Sequence, residues 1–202
     1  MQPQPLDLQI FDLLNFDGGV VMDRFMWFMS EKIVWAPLYI FLLWHIGRRY
    51  GWRYALVILL AVVASIGAAD QICNFFKNTF QMPRPSRVEA LQAGMHWVWD
   101  PIDEKIIRYG RFGTVSAHAA TTMAIFLIIG HAMRGIKWYW WIMPFYVAAI
   151  GYSRIYLGAH FASQVLFGWT LGALLSWLAW WLLDKFAIKL RRQQTMEGSL
   201  NI

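Results

Sequence analysis

Apolar positions fall into five stretches, at about 33–47, 54–76, 115–133, 138–156 and 160–183, separated by polar turns. Roughly 20 apolar residues cross a bilayer as helix. Four of the stretches approach or exceed that length, and the first reaches it when residues 27–32 are added. The pattern predicts an all-α fold, a polytopic transmembrane helical bundle of about five spans. Ahead of it, residues 6–16 and 20–30 mix apolar positions such as Ile10, Phe11, Val21 and Phe25 with Asp7, Asp12, Asp23 and Arg24. That mixture predicts two amphipathic helices along the membrane interface, turning at Gly18-Gly19.

Composition sharpens this picture. The chain has 202 residues, is 58% hydrophobic and only 15% charged, and carries 13 Trp, the profile of an integral membrane protein. A single domain is expected: interfacial helices over 1–32, the bundle over 33–184 with an outer loop at 77–114, and a basic tail over 185–202. The net charge of +6 does not point to nucleic acid, because the cations cluster at the ends of apolar runs. Cys73 is the only cysteine and lies in an apolar run, which predicts inert packing. The N-terminus lacks a basic region before an apolar core, so no cleaved signal peptide is expected.

Five crossings place Arg48, Arg49, Arg53, Arg134, Lys137, Lys185, Lys189, Arg191 and Arg192 on one face. By the positive-inside rule that face is cytoplasmic. The other face then receives the long loop and three stretches that carry candidate chemistry, the periplasmic side of an inner membrane if the source is bacterial.

Those stretches are Lys77-x6-Arg84-Pro85, Val115-Ser116-Ala117-His118, and Ser153-Arg154-x5-His160-x3-Gln164. Three cations converging on one pocket imply an anion with several oxygens, since an Arg fork suits phosphate and Lys adds a point charge. Ser116 and the first amides of the helix that follows supply neutral donors. Phosphoryl transfer needs a nucleophile on one side of phosphorus and a proton for the leaving oxygen on the other. His160 is the expected nucleophile and His118 the general acid.

The three stretches together resemble the signature of the type 2 phosphatidic acid phosphatase superfamily, Lys-x6-Arg-Pro, Pro-Ser-Gly-His and Ser-Arg-x5-His-x3-Asp. The resemblance implies metal-independent dephosphorylation of a lipid phosphate through a phosphohistidine on His160. It assigns Lys77, Arg84, Ser116, Ala117 and Arg154 to phosphate binding and His118 to leaving-group protonation. Val115 and Ala117 replace the family's Pro and Gly, and Gln164 its Asp. A glutamine carbonyl accepts the ring N–H without offsetting imidazolium charge, which predicts a slower enzyme or a different pH optimum. Glutamine at this position is similar to the glucose-6-phosphatase and dolichyl-diphosphatase branches. Asp70, seven residues before Lys77, lies on the same helix face and is a candidate partner for Lys77 or for the imidazole.

Single residues also carry simpler readings. His45 and His131 lie near cytoplasmic span ends, His96 sits beside Trp97 and Trp99 as an interfacial anchor, and Trp138, Trp140, Trp141, Trp177, Trp180 and Trp181 form aromatic belts. Arg87, Lys105, Arg108 and Arg111 are solvated loop charges or contacts to a second anionic group. No metal or other cofactor is expected, because neither key histidine has Cys or paired carboxylates at ligand spacing. The expected partners are the bilayer and an amphiphilic lipid phosphate; no pattern in the chain sets an oligomeric state. Undecaprenyl diphosphate or a lipid A phosphate is the first substrate choice, with phosphatidylglycerol phosphate and phosphatidic acid behind. A lipid-to-lipid phosphotransferase and a non-catalytic lipid-phosphate binder or transporter are the alternatives. A vanadate-dependent haloperoxidase shares the motifs but is soluble.

Overall fold

A computed structural model describes residues 3–200, with side chains described through Lys185. Eight helices carry the fold: α1 (Pro5–Leu14), α2 (Gly19–Ser30), α3 (Ala36–Tyr50), α4 (Trp52–Phe80), α5 (Glu89–Gln92), α6 (Ala117–Ala132), α7 (Lys137–Tyr156) and α8 (Ala162–Leu200). The apolar stretches become α3, α4, α6, α7 and α8, with boundaries near those expected. Among the described residues, α4 and α8 are long and apolar enough to cross a membrane, and α2 with the segment Ile33–Tyr50 passes the same test as a pair bent by 74°. Helix α6 is apolar but shorter. Beyond Lys185 the helix continues to Leu200; the side chains of Lys189, Arg191 and Arg192, expected in a basic tail, lie outside the described residues.

Helix α6 is the hub, packing against α4, α7 and α8 and burying residues from Ala119 to Ala132 on all sides. Its contact with α8 is close because both surfaces are small. A Cβ at Gly168 would stand 2.5 Å from the Ser116 carbonyl, and one at Gly172 would run into the Ala120 carbonyl. Small residues let helices approach backbone to backbone where apolar burial alone does not drive association. That approach sets the starts of α6 and α8 beside each other, the Ser116 amide donating to the Gln164 carbonyl.

The N-terminal helices are part of the bundle. Phe11 of α1 is buried against Phe161, with ring centroids 5.8 Å apart, and α2 packs along α7. Asp7 was expected on a polar interfacial face. It is instead buried, accepting from the Ser163 amide at 3.1 Å and the Ser163 hydroxyl at 2.6 Å. The loop between α4 and α6 is also ordered by its own contacts. A short hairpin pairs Trp99 with Ile106 and Asp100 with Lys105, and a bridge joins Pro83 to Phe112.

Candidate active site

The end of α4, the start of α6, the end of α7 and the start of α8 meet at one end of the bundle. Helix α4 stops at Gln81, which adopts the left-handed conformation (φ 46°, ψ 39°), a common helix terminator. Pro85 keeps Arg84 extended before a short 3-10 turn at Pro85–Arg87, and the Pro83–Phe112 bridge ties this stretch to the far end of the loop. Arg84 is thereby laid over the α7–α8 connection. Its Nε donates to the Phe112 carbonyl at 3.0 Å and its Nη1 to the Ala159 carbonyl at 2.9 Å. The same Nη1 lies 3.3 Å from His160 Nε2.

The α7–α8 connection is a tight turn. Gly158 has φ 67°, and a Cβ there would run into the Met95 side chain, so the turn admits only glycine without strain. The amides of Ala159 and His160 both return to the Arg154 carbonyl, at 2.9 and 3.0 Å, which fixes the nucleophile candidate one turn past the arginine. Arg154 is 4% exposed. Its guanidinium lies 4.6 Å from the Tyr109 ring centroid, Nη1 donates to Ser30 Oγ, and Nε has no protein partner.

His160 is 4% exposed and Gln164 is 1% exposed. One turn of α8 brings Gln164 Oε1 to 2.9 Å from His160 Nδ1. The same oxygen accepts from the Phe161 amide at 3.4 Å, while Nε2 has no protein partner. Since the carbonyl oxygen can only accept, Nδ1 carries the proton and Nε2 keeps its lone pair toward Arg84. Burial pushes the His160 imidazolium well below its ordinary range, the charges of Arg84 and Arg154 push it further, and the Gln164 bond opposes them. A neutral imidazole with a free Nε2 is the form that attacks an electrophile. Arg84 is itself lowered to about 10, first by burial and then by Arg154, and stays a cation at neutral pH.

Ser116 is fully buried and caps α6, its Oγ accepting from the Ala119 amide at 3.4 Å, and its own amide donates to the Gln164 carbonyl at 3.0 Å. The amides of Ala117 and His118 open the helix and have no carbonyl to reach within it, so the positive end of α6 faces the cluster. His118 sits in that first turn and lines a cavity of about 190 Å³ shared with Ser30 and Lys32. Lys77 lies in the last turn of α4, Nζ donating to Asn74 Oδ1 at 2.9 Å, and Asn74 Nδ2 donates to Asp70 Oδ2 at 3.1 Å. Asp70 therefore reaches Lys77 through an amide, and the partner of the imidazole is Gln164. Among the described residues no carboxylate pairs with Lys77, Arg84 or Arg154, and no three His, Cys, Asp or Glu side chains gather as a metal site.

The model of the PAP2 superfamily matches residues 50–188, which contain every residue of the three motifs. The chain belongs to the PAP2 superfamily. It is 29% identical to the lipid A 4'-phosphatase of Bacteroides thetaiotaomicron, over 96% of this chain and 84% of that one. It is 23% identical to the undecaprenyl-diphosphatase of Sulfolobus acidocaldarius, over 86% and 76%. Its fold is that of the transmembrane PAP2-type phosphatidylglycerolphosphate phosphatase from Bacillus subtilis, with a TM-score of 0.63, 19% identity and coverage of 89% and 85%. This PAP2 protein is an integral membrane phosphatase.

Three features of the PAP2 site were not legible in its motifs. Lys32, at the break after α2, shares the cavity of His118; its only sequence signal is a charge interrupting an otherwise apolar run. Asp7 holds the first turn of α8 from 156 positions away. His96, expected as an interfacial anchor, bonds Asp23 at 2.8 Å, and Asp23 accepts from the Tyr156 hydroxyl at 2.6 Å, which clamps α2 and the loop between α4 and α6 to the end of α7. The loop cations are engaged locally: Arg87 donates to the Tyr109 carbonyl, Lys105 pairs with Asp103, and Arg108 and Arg111 lie over Trp97 and Phe112. Beside Gln164, a separate apolar cavity of about 990 Å³ runs between α4 and α8, walled by Phe76, Phe80, Phe167 and Leu171.

Proposed function

We propose that this PAP2 enzyme dephosphorylates a phosphorylated membrane lipid, a lipid A phosphate or undecaprenyl diphosphate, through a phosphohistidine on His160. One observation carries the reading: a buried neutral imidazole lies against the half-buried Arg84 guanidinium and near the buried Arg154, and among the described residues no carboxylate pairs with either cation. Buried cations without counter-charges are costly unless an anion joins them, and a phosphoryl group supplies both the anion and the electrophile. Arg84, Arg154, Lys77, Ser116 and the amides at Ala117 and His118 hold its oxygens. His160 Nε2 attacks phosphorus, Gln164 keeps the ring in its reactive tautomer, and His118 protonates the leaving oxygen. Water then hydrolyses the phosphohistidine. The large apolar cavity beside Gln164 accommodates a lipid tail while the headgroup reaches the cations.

The same reading gives five crossings, α3, α4, α6, α7 and α8, with the bend after α2 at the rim of the first. The basic turns at Arg48–Arg53 and Arg134–Lys137 then lie in the cytoplasm and the site faces the periplasm of an inner membrane. The test is release of inorganic phosphate from a panel of lipid phosphates by purified protein in detergent with excess chelator, using His160→Ala as the blank. Release from at least one lipid, absent in the blank, is expected. Equal release by the blank, or none by either protein, overturns the assignment.

A further inference from the structure

With His118 as proton donor, the cavity it lines is on the side of the leaving group, and Lys32 shares it. This roughly 190 Å³ space has an apolar side, from Met29, Ile66, Ile125 and Ile150, and a polar one from Ser30, Lys32, His118, Thr121, Thr122, Tyr39 and Tyr146. Several of these groups are already engaged. Tyr39 and Tyr146 bond each other at 2.5 Å, and Thr121 Oγ1 donates to the Ala117 carbonyl at 2.9 Å. Ser30 Oγ accepts from Arg154, which joins this wall to the cation cluster and leaves the serine O–H as a donor. Lys32 has no carboxylate partner among the described residues.

Among the described residues the exposed Lys32 ammonium is the one full charge on this wall, and no carboxylate or carboxamide lines the cavity. A cation beside hydroxyls that can turn their O–H groups inward suits an anion. At about 30 Å³ per water, the space holds about six water volumes, enough for a phosphate group with part of its hydration. The chain leaves helix after Ser30 and resumes at Ile33, bent by 74°, so Lys32 stands in a break of the helix beside this cavity.

We propose that Lys32 binds a second phosphate on the leaving group, so that the site is built for a lipid diphosphate. The inference rests on the phosphohistidine reading of the same site. His160 Nε2 forms the N–P bond to the terminal phosphorus as the bond from that phosphorus to the bridging oxygen breaks. The bridging oxygen takes the proton from His118, and the lipid monophosphate leaves with its anionic oxygens on Lys32 and Ser30. A monophosphate ester places a neutral alcohol there instead.

The experiment compares wild type, Lys32→Met and Lys32→Arg in detergent, on a polyprenyl diphosphate and the matching polyprenyl monophosphate. Loss of one charge-assisted contact predicts a fall of roughly ten- to a hundredfold in kcat/KM for the diphosphate in Lys32→Met. The monophosphate should change by less than about threefold, a small fraction of that contact, and Lys32→Arg should restore most of the diphosphate rate. Equal losses on both lipids, or no loss on the diphosphate, overturn the proposal. Calorimetry on His160→Ala protein tests it without turnover. Inorganic pyrophosphate should bind more tightly than phosphate, and adding Lys32→Met should abolish the margin. Equal binding overturns the proposal even when lipid hydrolysis is normal. A pyrophosphate margin without phosphate release from any lipid by the wild type overturns the hydrolase reading alone.

Discussion

Two arginine–histidine pairs occupy opposite ends of the bundle, and only one belongs to the motif cluster. At the end of α6, Arg134 Nη2 lies 2.6 Å from His131 Nδ1, and the imidazole stacks on Trp180 at 3.6 Å. The two residues are three positions apart, exposed to a wide surface cleft that Asp184 also lines. At the motif end, Arg84 Nη1 and His160 Nε2 are 3.3 Å apart but 76 positions distant in the chain. That imidazole is nearly inaccessible, a second arginine lies close, and among the described residues no carboxylate answers either charge. The first pair follows from nearness in sequence, since Arg134 lies in the turn that ends α6, three positions after His131. The second exists only because a proline-held stretch, a glycine turn and two closely packed helices bring it together. Contact between the two residue types is thus not what marks a site. Burial without compensation is.

The most severe way to test this contrast is to remove each imidazole. His160→Ala should abolish phosphate release, a loss on the order of a thousandfold or more, as expected for a nucleophile. His131→Ala should leave the rate within about twofold, since an exposed local pair contributes little. Steady-state assays on both variants check the pair of outcomes; comparable losses would show that the two ends are not functionally distinct.

A second comparison exchanges the arginines for lysine. Arg84→Lys keeps the charge but loses the fork that reaches Phe112, Ala159 and the substrate from one plane. The expected fall in kcat/KM is about a hundredfold, the usual cost of removing a preorganised donor. Arg134→Lys should be silent. A silent Arg84→Lys would mean that the cluster supplies only bulk positive charge.

How much of this was legible in the chain depends on the range of the contacts. The helices were, because each is a long apolar run, and the cluster was, because three motifs fall at span ends on one face. The hairpin at Trp99–Ile106 and the Pro83–Phe112 bridge were not, since their residues show no strand alternation and pair through backbone. The broken segment at Glu31-Lys32 looked like the polar end of an interfacial helix, because Lys32 acquires its meaning only when α6 brings His118 next to it. Asp7 looked like an interfacial carboxylate for the same reason, its partner Ser163 having no local signature. Gln164 was readable as the partner of His160 because it stands where the family signature has its aspartate, and the two lie 2.9 Å apart.

Gln164 also sharpens the comparison through pH. The His160 pKa is lowered by burial, Arg84 and Arg154, so the imidazole is neutral from well below its ordinary range upward. Activity should therefore persist as the pH falls below neutrality and be lost only when the ring finally takes a proton. Gln164→Asp places a negative charge at the Nδ1 side, favours the imidazolium and raises that pKa. The acid limb of the kcat/KM profile should move to higher pH, by about one unit or more for a close buried carboxylate, with little change on the alkaline side. An acid limb that stays in place or moves downward would remove His160 from the titrating step.

The smallest effect is expected at Asp7, which touches neither histidine. Its carboxylate accepts from the amide and hydroxyl of Ser163, the second residue of α8, and so does from another helix what an N-cap side chain does locally. A negative charge at a helix start also meets the positive end of its dipole. Asp7→Asn keeps one acceptor and loses the charge, while Asp7→Ala loses both. Stability should fall by about 1 kcal/mol in Asp7→Ala and by less in Asp7→Asn, read as a stepwise drop in the thermal midpoint in detergent. Because Ser163 directly precedes Gln164, the same loosening should lower kcat for the lipid by a few-fold and leave KM nearly unchanged, since the cations that hold the phosphate stay in place. A drop in stability with an unaltered kcat would confine α1 to holding the fold, whereas a drop in both ties the N-terminal helix to the orientation of the imidazole.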